Sequence, residues 1–241
     1  MRLNKYLAES GICSRREADR LIEQGLVLVN GKQAPVGYQV TEQEEVKVRG
    51  NAVKSTQNKV VLAYNKPIGV TCTEKDRHAK KTIIEAMKYP VRVTYAGRLD
   101  RDSEGLMIMT NDGDLIEAMM RGANRHEKEY IVKVDKELTD DALKILRNGI
   151  YLPELKQETR PCVVEKIGPY TFSIILTQGL NRQIRRMCTV AGYQVKQLRR
   201  VRVMNIELGN LKSGTYRELT AEERTILYQN AGMVKKAGKS C

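Results

Sequence analysis

Apolar residues recur at two different spacings along the chain, and the change of spacing divides it. Near the start, Leu3, Tyr6 and Leu7 share one face of a helix that Gly11 can end. Ala18, Leu21 and Ile22 repeat the three-to-four spacing. Just before them, Ser14 and Glu17 have the form of a capping box, in which hydroxyl and carboxylate satisfy each other's free amides. Gly25 suits the end of that second helix. Residues 26–29 then read as a strand, Asn30-Gly31 is a strong hairpin signal, and residues 46–48 read as a further strand. The stretch 50–58 (GNAVKSTQN) is polar, lacks periodicity and predicts a linker.

From residue 59 the pattern becomes strand-rich. Residues 60–64, 106–109, 130–134, 160–165, 171–176 and 196–208 predict strands. Helices are predicted at 82–88, 114–121, 139–147, 181–191 and 220–229, with Thr139, Asn181 and Thr220 as N-caps. Strands and helices mix without regular βαβ alternation, which predicts an α+β fold with a mixed, largely antiparallel sheet. The expected organisation is a small unit over 1–49, a linker over 50–58, a larger domain over 59–230 and a disordered tail over 231–241.

A hydrophobic share of 41% supports a real core, and with no Trp and one Phe that core should be built from Val, Ile, Leu and Met. The 42 Lys and Arg outnumber 29 Asp and Glu, a formal charge of +13, which favours a polyanion such as nucleic acid or, less often, an anionic membrane surface. No run approaches the roughly 18 apolar residues that a membrane helix needs. The opening MRLNKYLAESG is charged and helical, unlike a signal peptide. Cys13, Cys72, Cys162, Cys188 and Cys241 are scattered singly and read as reduced thiols of a cytoplasmic protein. With no CxxC pair and only His78 and His126, a zinc site is not expected.

Between Asn181 and Arg202 stand Arg182, Arg185, Arg186, Lys196, Arg199, Arg200 and Arg202, with no acidic residue. In the helix predicted there, Ile184, Met187, Cys188 and Ala191 share one face, and Arg182, Arg185, Arg186 and Thr189 share the other. Charges on a helix usually mean a solvated face, but such a face mixes signs. Arginine in this density suits phosphate, whose oxygens its planar fork grips in pairs. The Cys188 thiol, on the apolar face, reads as packing rather than chemistry. A weaker cluster, Arg2, Lys5, Arg15, Arg16 and Arg20, is interspersed with Glu9, Glu17, Asp19 and Glu23. Finally, residues 95–110 (YAGRLDRDSEGLMIMT) form a glycine-bounded polar loop running into an apolar strand, a common place for chemistry. Asp100 and Asp102 are both candidates for a working carboxylate; spacing alone fits a surface loop with local ion pairs better.

These segments also carry a resemblance. The run RLNKYLAESGICSRREADRLIEQGLVLVNGKQA resembles the S4 RNA-binding domain, through its SRREAD helix start, the glycine after the second helix and the VNG hairpin. GRLDRDSEGL resembles the motif carrying the catalytic aspartate of pseudouridine synthases of the RsuA/RluA type. Asn65-Lys66-Pro67-Ile68-Gly69, Lys128-Glu129-Tyr130-Ile131-Val132 and GLNRQIRRM at 179–187 match the same family in the expected order, and HEKEY with GLNRQIRRM is most similar to its F-type 23S rRNA enzymes.

The resemblance implies isomerisation of uridine to pseudouridine in ribosomal RNA, that of the large subunit, by a cytoplasmic monomer needing no cofactor, metal or membrane. It implies that Asp100 is the nucleophile and that Arg185 pairs with it. Tyr130 would stack on the target base and relay the C5 proton, and Arg98 would help to extrude the nucleotide. Lys66, Arg182 and Arg186 would contact the substrate, Lys66-Pro67 by shaping the pocket floor rather than by doing chemistry, and Arg2, Lys5, Arg15 and Arg16 would anchor RNA. His78 and His126 are RNA-contacting or incidental. Two rivals stand beside this reading: a non-catalytic S4-domain ribosome-assembly factor, and a hydrolase using Asp100 and Asp102 as a carboxylate pair.

Overall fold

The computed structural model describes residues 1–53, 58–73, 81–121 and 125–234; His78 lies outside them. The chain divides into two compact units, the first comprising residues 1–60 with 89–94 and 110–113, the second the remainder.

In the first unit two helices, α1 (Leu3–Glu9) and α2 (Arg15–Glu23), precede four short strands: β1 (Val27–Val29), β2 (Lys32–Gln33), β3 (Val46–Val48) and β4 (Asn51–Ala52). The strands form an antiparallel sheet in the order β2-β1-β3-β4. Leu3, Leu7, Ala18, Leu21 and Ile22 close over Val27, Val29, Val46 and Val48 in one core. Of the expected capping box only the hydroxyl half is formed: the Glu17 amide donates to Ser14 Oγ at 3.2 Å, while the Glu17 carboxylate faces Arg20 at 3.4 Å. Asn30 and Gly31 take φ of +49° and +79°, the left-handed pair that a two-residue hairpin needs. Arg49 and Gly50 do the same at +50° and +82°. The stretch predicted as a linker therefore opens with a second hairpin that folds β4 back on β3, a turn whose Arg-Gly pair is less recognisable than Asn-Gly.

The second unit begins with β5 (Val61–Lys66), α3 (Ile83–Met87), β6 (Thr94–Ala96), β7 (Glu104–Thr110), α4 (Gly113–Met120), β8 (Lys128–Val134) and α5 (Asp140–Asn148). A small hairpin of β9 (Tyr151–Leu152) and β10 (Gln157–Glu158) follows, then β11 (Val163–Gly168), β12 (Thr171–Leu176), α6 (Gln183–Val190), β13 (Val195–Val203), β14 (Ile206–Glu207), β15 (Tyr216–Glu218) and α7 (Ala221–Asn230). The main sheet runs β11-β12-β8-β13-β7-β5-β15, with β14 on β13 and β6 on β7. Antiparallel pairing prevails, but β7 and β13 are parallel, with Glu104 beside Arg199 and Gly105 beside Arg200. The α+β, mixed-sheet expectation is met.

Two hydrophobic cores serve this sheet. One joins β8, β12 and β13 to α5 and α6 through Val132, Phe172, Leu198, Leu143 and Met187. The other joins β5, β7 and β14 to α4 and α7 through Ala63, Leu106, Ile108, Leu115, Ile206 and Leu227. Thr139 and Thr220 cap α5 and α7 by accepting the amides of Ala142 and Glu223. The cap of α6 is Arg182, in left-handed backbone at φ +51°, and not Asn181; the Leu180 amide donates to Gln183 Oε1 at 3.0 Å, so Gln183 supplies the local turn. The single strand predicted over 196–208 is a hairpin, because Met204 turns at φ +53°. Past α7, Ala231 is buried and Met233 packs on the second core, so the chain stays folded at the start of the expected tail. Residues 235–241 lie outside those described.

Candidate active site

The aspartate loop joins β6 to β7 and is fastened at several points. The Gly69 amide donates to Arg101 O at 2.8 Å, and the Ser103 amide to Asp100 O at 3.1 Å. Beneath it, Lys66 Nζ donates to Ser103 O at 2.7 Å and to Pro67 O at 3.0 Å. Lys66 is 0% exposed, at the end of a strand buried along its whole length, so it braces the loop and does not reach RNA. That corrects the substrate-contact expectation. Burial lowers its ammonium from the ordinary range, against the opposing charges of Cys72, Asp102 and Asp100. At the loop's far end Gly105 has φ +108°, and a Cβ there would stand 2.7 Å from the Arg200 backbone nitrogen and nearer still to its carbonyl oxygen. Only glycine lets β7 and β13 approach so closely.

The loop borders a cleft of about 600 Å³. Asp100, Arg98, Tyr130 and Arg182 line it, as do Lys128, His126 and Arg200. Arg98 is exposed, and Tyr130 is partly buried on β8, between Ile174 of β12 and Arg200 of β13. Lys128 lies two residues before Tyr130, on the same side of the strand. Burial, with a smaller push from Arg200, brings its ammonium down to about 8. Neither Lys128 nor Arg200 was singled out from sequence as a cleft residue. Arg200 reads there as one of many basic residues, yet it is 2% exposed and its Nε donates to Leu106 O at 2.7 Å. His126 lines the cleft with Nε2 3.2 Å from Ala118 O, and burial lowers its pKa.

A charge cluster stands at the edge of the cleft. Arg182 donates to both oxygens of Asp102, at 3.2 and 3.0 Å, and its Nη1 lies 3.6 Å from Asp100 Oδ2. Arg185 Nη2 lies 3.3 Å from Asp102 Oδ2, 2.9 Å from Asp102 O and 3.4 Å from Ser103 Oγ. Burial pushes the Asp102 carboxyl upward, but the Arg182 hydrogen bonds and the Arg185 and Arg182 charges outweigh it and hold the group below the usual carboxylate range. The cation beside Asp100 is thus Arg182, where the resemblance implies Arg185. Arg186 is also committed: Nε donates to Asn181 O at 3.0 Å, and the guanidinium pairs with Glu154. The arginine face read as free of acids takes its acids from elsewhere in the chain, Asp102 and Glu154, which lowers its capacity for phosphate.

In the first unit, Arg2, Arg15 and Arg16 are exposed, with Arg15 and Arg16 in the first turn of α2. Lys5 lies 3.7 Å from Glu9.

Comparison with known proteins adds to this geometry. Residues 60–189 match the RNA pseudouridylate synthase family, and residues 1–46 match the S4 domain. The chain is 47% identical over 231 residues to the dual-specificity RNA pseudouridine synthase RluF of Escherichia coli O6:H1, covering 95% of this chain and 79% of that protein. It is 36% identical over 230 residues to the ribosomal large subunit pseudouridine synthase B of Bacillus subtilis, covering 92% and 93%. A crystal structure of a pseudouridylate synthase superposes with a TM-score of 0.69 at 28% identity, over 94% of this chain and 99% of that one.

Proposed function

The chain belongs to the RNA pseudouridylate synthase family, and we propose that it isomerises specific uridines of 23S ribosomal RNA, with Asp100 as the nucleophile. The observation that carries this reading is the placement of the Asp100 carboxylate at a partly enclosed cleft, with Tyr130 in its wall and a guanidinium 3.6 Å away.

The reaction breaks the bond from N1 to C1′, turns the uracil and joins C5 to C1′; the C5 proton leaves and N1 gains one. Atoms and charge balance with no redox partner. A carboxylate suits the task because it can add covalently and later depart, as in retaining glycosidases. Attack at C6 of the base and assistance to a glycal at the sugar both use the Asp100 carboxylate, beside which the Arg182 guanidinium stands. Tyr130, in the cleft wall, would stack on the target base and relay the C5 proton. Extruding the nucleotide costs a few kcal/mol of unstacking, which Arg98, exposed at the cleft, helps to offset. In this reading residues 1–49, with Arg2, Lys5, Arg15 and Arg16, anchor the RNA, 50–58 link, and 59–230 do the chemistry. The protein would act as a cytoplasmic monomer. Among the described residues no helix is long and apolar enough to cross a membrane.

The test is to incubate wild type and Asp100→Asn with 23S transcripts and to map pseudouridine by carbodiimide-stop sequencing. Wild type should create new stops at unchanged RNA mass, whereas a hydrolase would add water or cut the strand. Asp100→Asn should create none while binding RNA within about threefold of wild type. A normal rate in that variant overturns the assignment.

A further inference from the structure

Two carboxylates compete for Arg182, and the competition is unequal. Asp102 accepts two hydrogen bonds from it, at 3.0 and 3.2 Å, and Arg185 adds a second guanidinium to Asp102 at 3.3 Å. Asp100 stands 3.6 Å from the same Arg182, beyond hydrogen-bond range. The fork of a guanidinium matches one carboxylate at a time, so its bidentate grip on Asp102 leaves Asp100 in its field without a hydrogen bond.

We propose that Asp102 is a positioning residue for the isomerisation: it holds Arg182 off Asp100, so that the nucleophile keeps a counter-charge nearby and its oxygen lone pairs open to substrate. The role rests on Asp100 being the nucleophile. The loop geometry agrees with it. Ser103, next to Asp102, is fixed by Lys66 from below and touched by Arg185 from α6, so Asp102 sits on a braced segment although its own side chain is 48% exposed. Without its anion, Arg182 would turn to the remaining carboxylate, and a charge-assisted hydrogen bond would have to break before each attack.

Asp102→Asn should lower kcat about tenfold or more, the scale set by one charge-assisted hydrogen bond, with KM within about twofold and only a small drop in melting temperature, since the side chain is half exposed. Asp102→Glu, which restores the anion, should recover most of the rate. In an Arg182→Gln background Asp102→Asn should change kcat by less than about twofold, since nothing is left to be held. An unaltered kcat in Asp102→Asn, a defect confined to KM, no rescue by Glu, or an equal loss in the Arg182→Gln background would each overturn the proposal. Asp100→Asn, measured alongside, separates the two levels. Turnover by that variant sinks the nucleophile assignment, whereas its inactivity together with an unimpaired Asp102→Asn sinks only the positioning role.

Discussion

Gly105→Ala should damage the molecule far more than one methyl group suggests. At φ +108° an L side chain is strained whatever the space around it, at about 1–2 kcal/mol. The added Cβ would also lie 2.7 Å from Arg200 N, where ordinary contact starts at 3.4 Å, so β13 must retreat by the difference, 0.7 Å, or more at the closer carbonyl oxygen. Both atoms are backbone and cannot rotate away. Overpacking of this kind adds about 1–3 kcal/mol, giving about 2–5 kcal/mol in all, a large part of the stability of an ordinary domain. Gly209→Ala is the internal control, since Gly209 has φ +51° and a Cβ added there would meet nothing within 4 Å; it should cost about 1 kcal/mol. The assay is urea unfolding followed by tyrosine fluorescence, which is convenient because the chain has 11 Tyr and no Trp. Comparing midpoints at equal m-values gives the difference directly. Should Gly105→Ala and Gly209→Ala prove equally mild, the close approach of β7 and β13 is not what fixes the aspartate loop.

Other perturbations probe the cleft and the first unit. Burial lowers the Lys128 ammonium from 10.5 to about 8, so between those values the unfolded chain binds a proton that the folded chain has lost, and stability from this group rises with pH across that window. Below pH 8 the folded state bears the full desolvation penalty. Lys128→Met should therefore stabilise the protein by roughly 3 kcal/mol at pH 7, with the gain vanishing as pH climbs toward 10.5; a gain independent of pH would contradict the burial argument. Arg15→Glu with Arg16→Glu should weaken RNA binding and reduce the slope of log affinity against log salt by about 2, if each meets one phosphate. Filter binding at several salt concentrations measures it, and an unchanged slope removes these two arginines from the interface.

Much of the architecture was legible in the residues, for local reasons. Thr139 and Thr220 cap helices as their sequence context implies, and Asn30-Gly31 turns as that dipeptide prefers. Strand 171–176 has its predicted bounds, a short run rich in β-formers whose burial alternates along its length. The misses share a physical cause: they were decided by partners distant in sequence. Arg182 binds Asp102, 80 positions away, and no periodicity records which carboxylate an arginine will find. Lys66 was expected among the substrate-contacting residues, yet the bracing of the Ser103 carbonyl holds it inside. Arg200 looks like one more basic residue of a stripe, but its strand is interior where it crosses β7. The Arg49-Gly50 hairpin escaped because arginine seldom adopts positive φ, and only the β3–β4 pairing makes it do so. Asp100, by contrast, was found through its resemblance to a family motif, since spacing could not choose between it and Asp102.

The parallel run of β7 beside β13 has a mechanical consequence. The lead-in to β7 carries the acids and belongs with Leu106 and Ile108 of one nucleus, while α6, which leads into β13, carries the guanidinium groups and is seated by Ile184 and Met187 on the other. Nucleophile and counter-ion thus ride on elements seated in different cores, which the β13–β14 hairpin ties together, Leu198 lying in one core and Val203 and Ile206 in the other. A substitution that loosens this hairpin should therefore shift the guanidinium groups against the acids and lower activity, even where circular dichroism is unchanged.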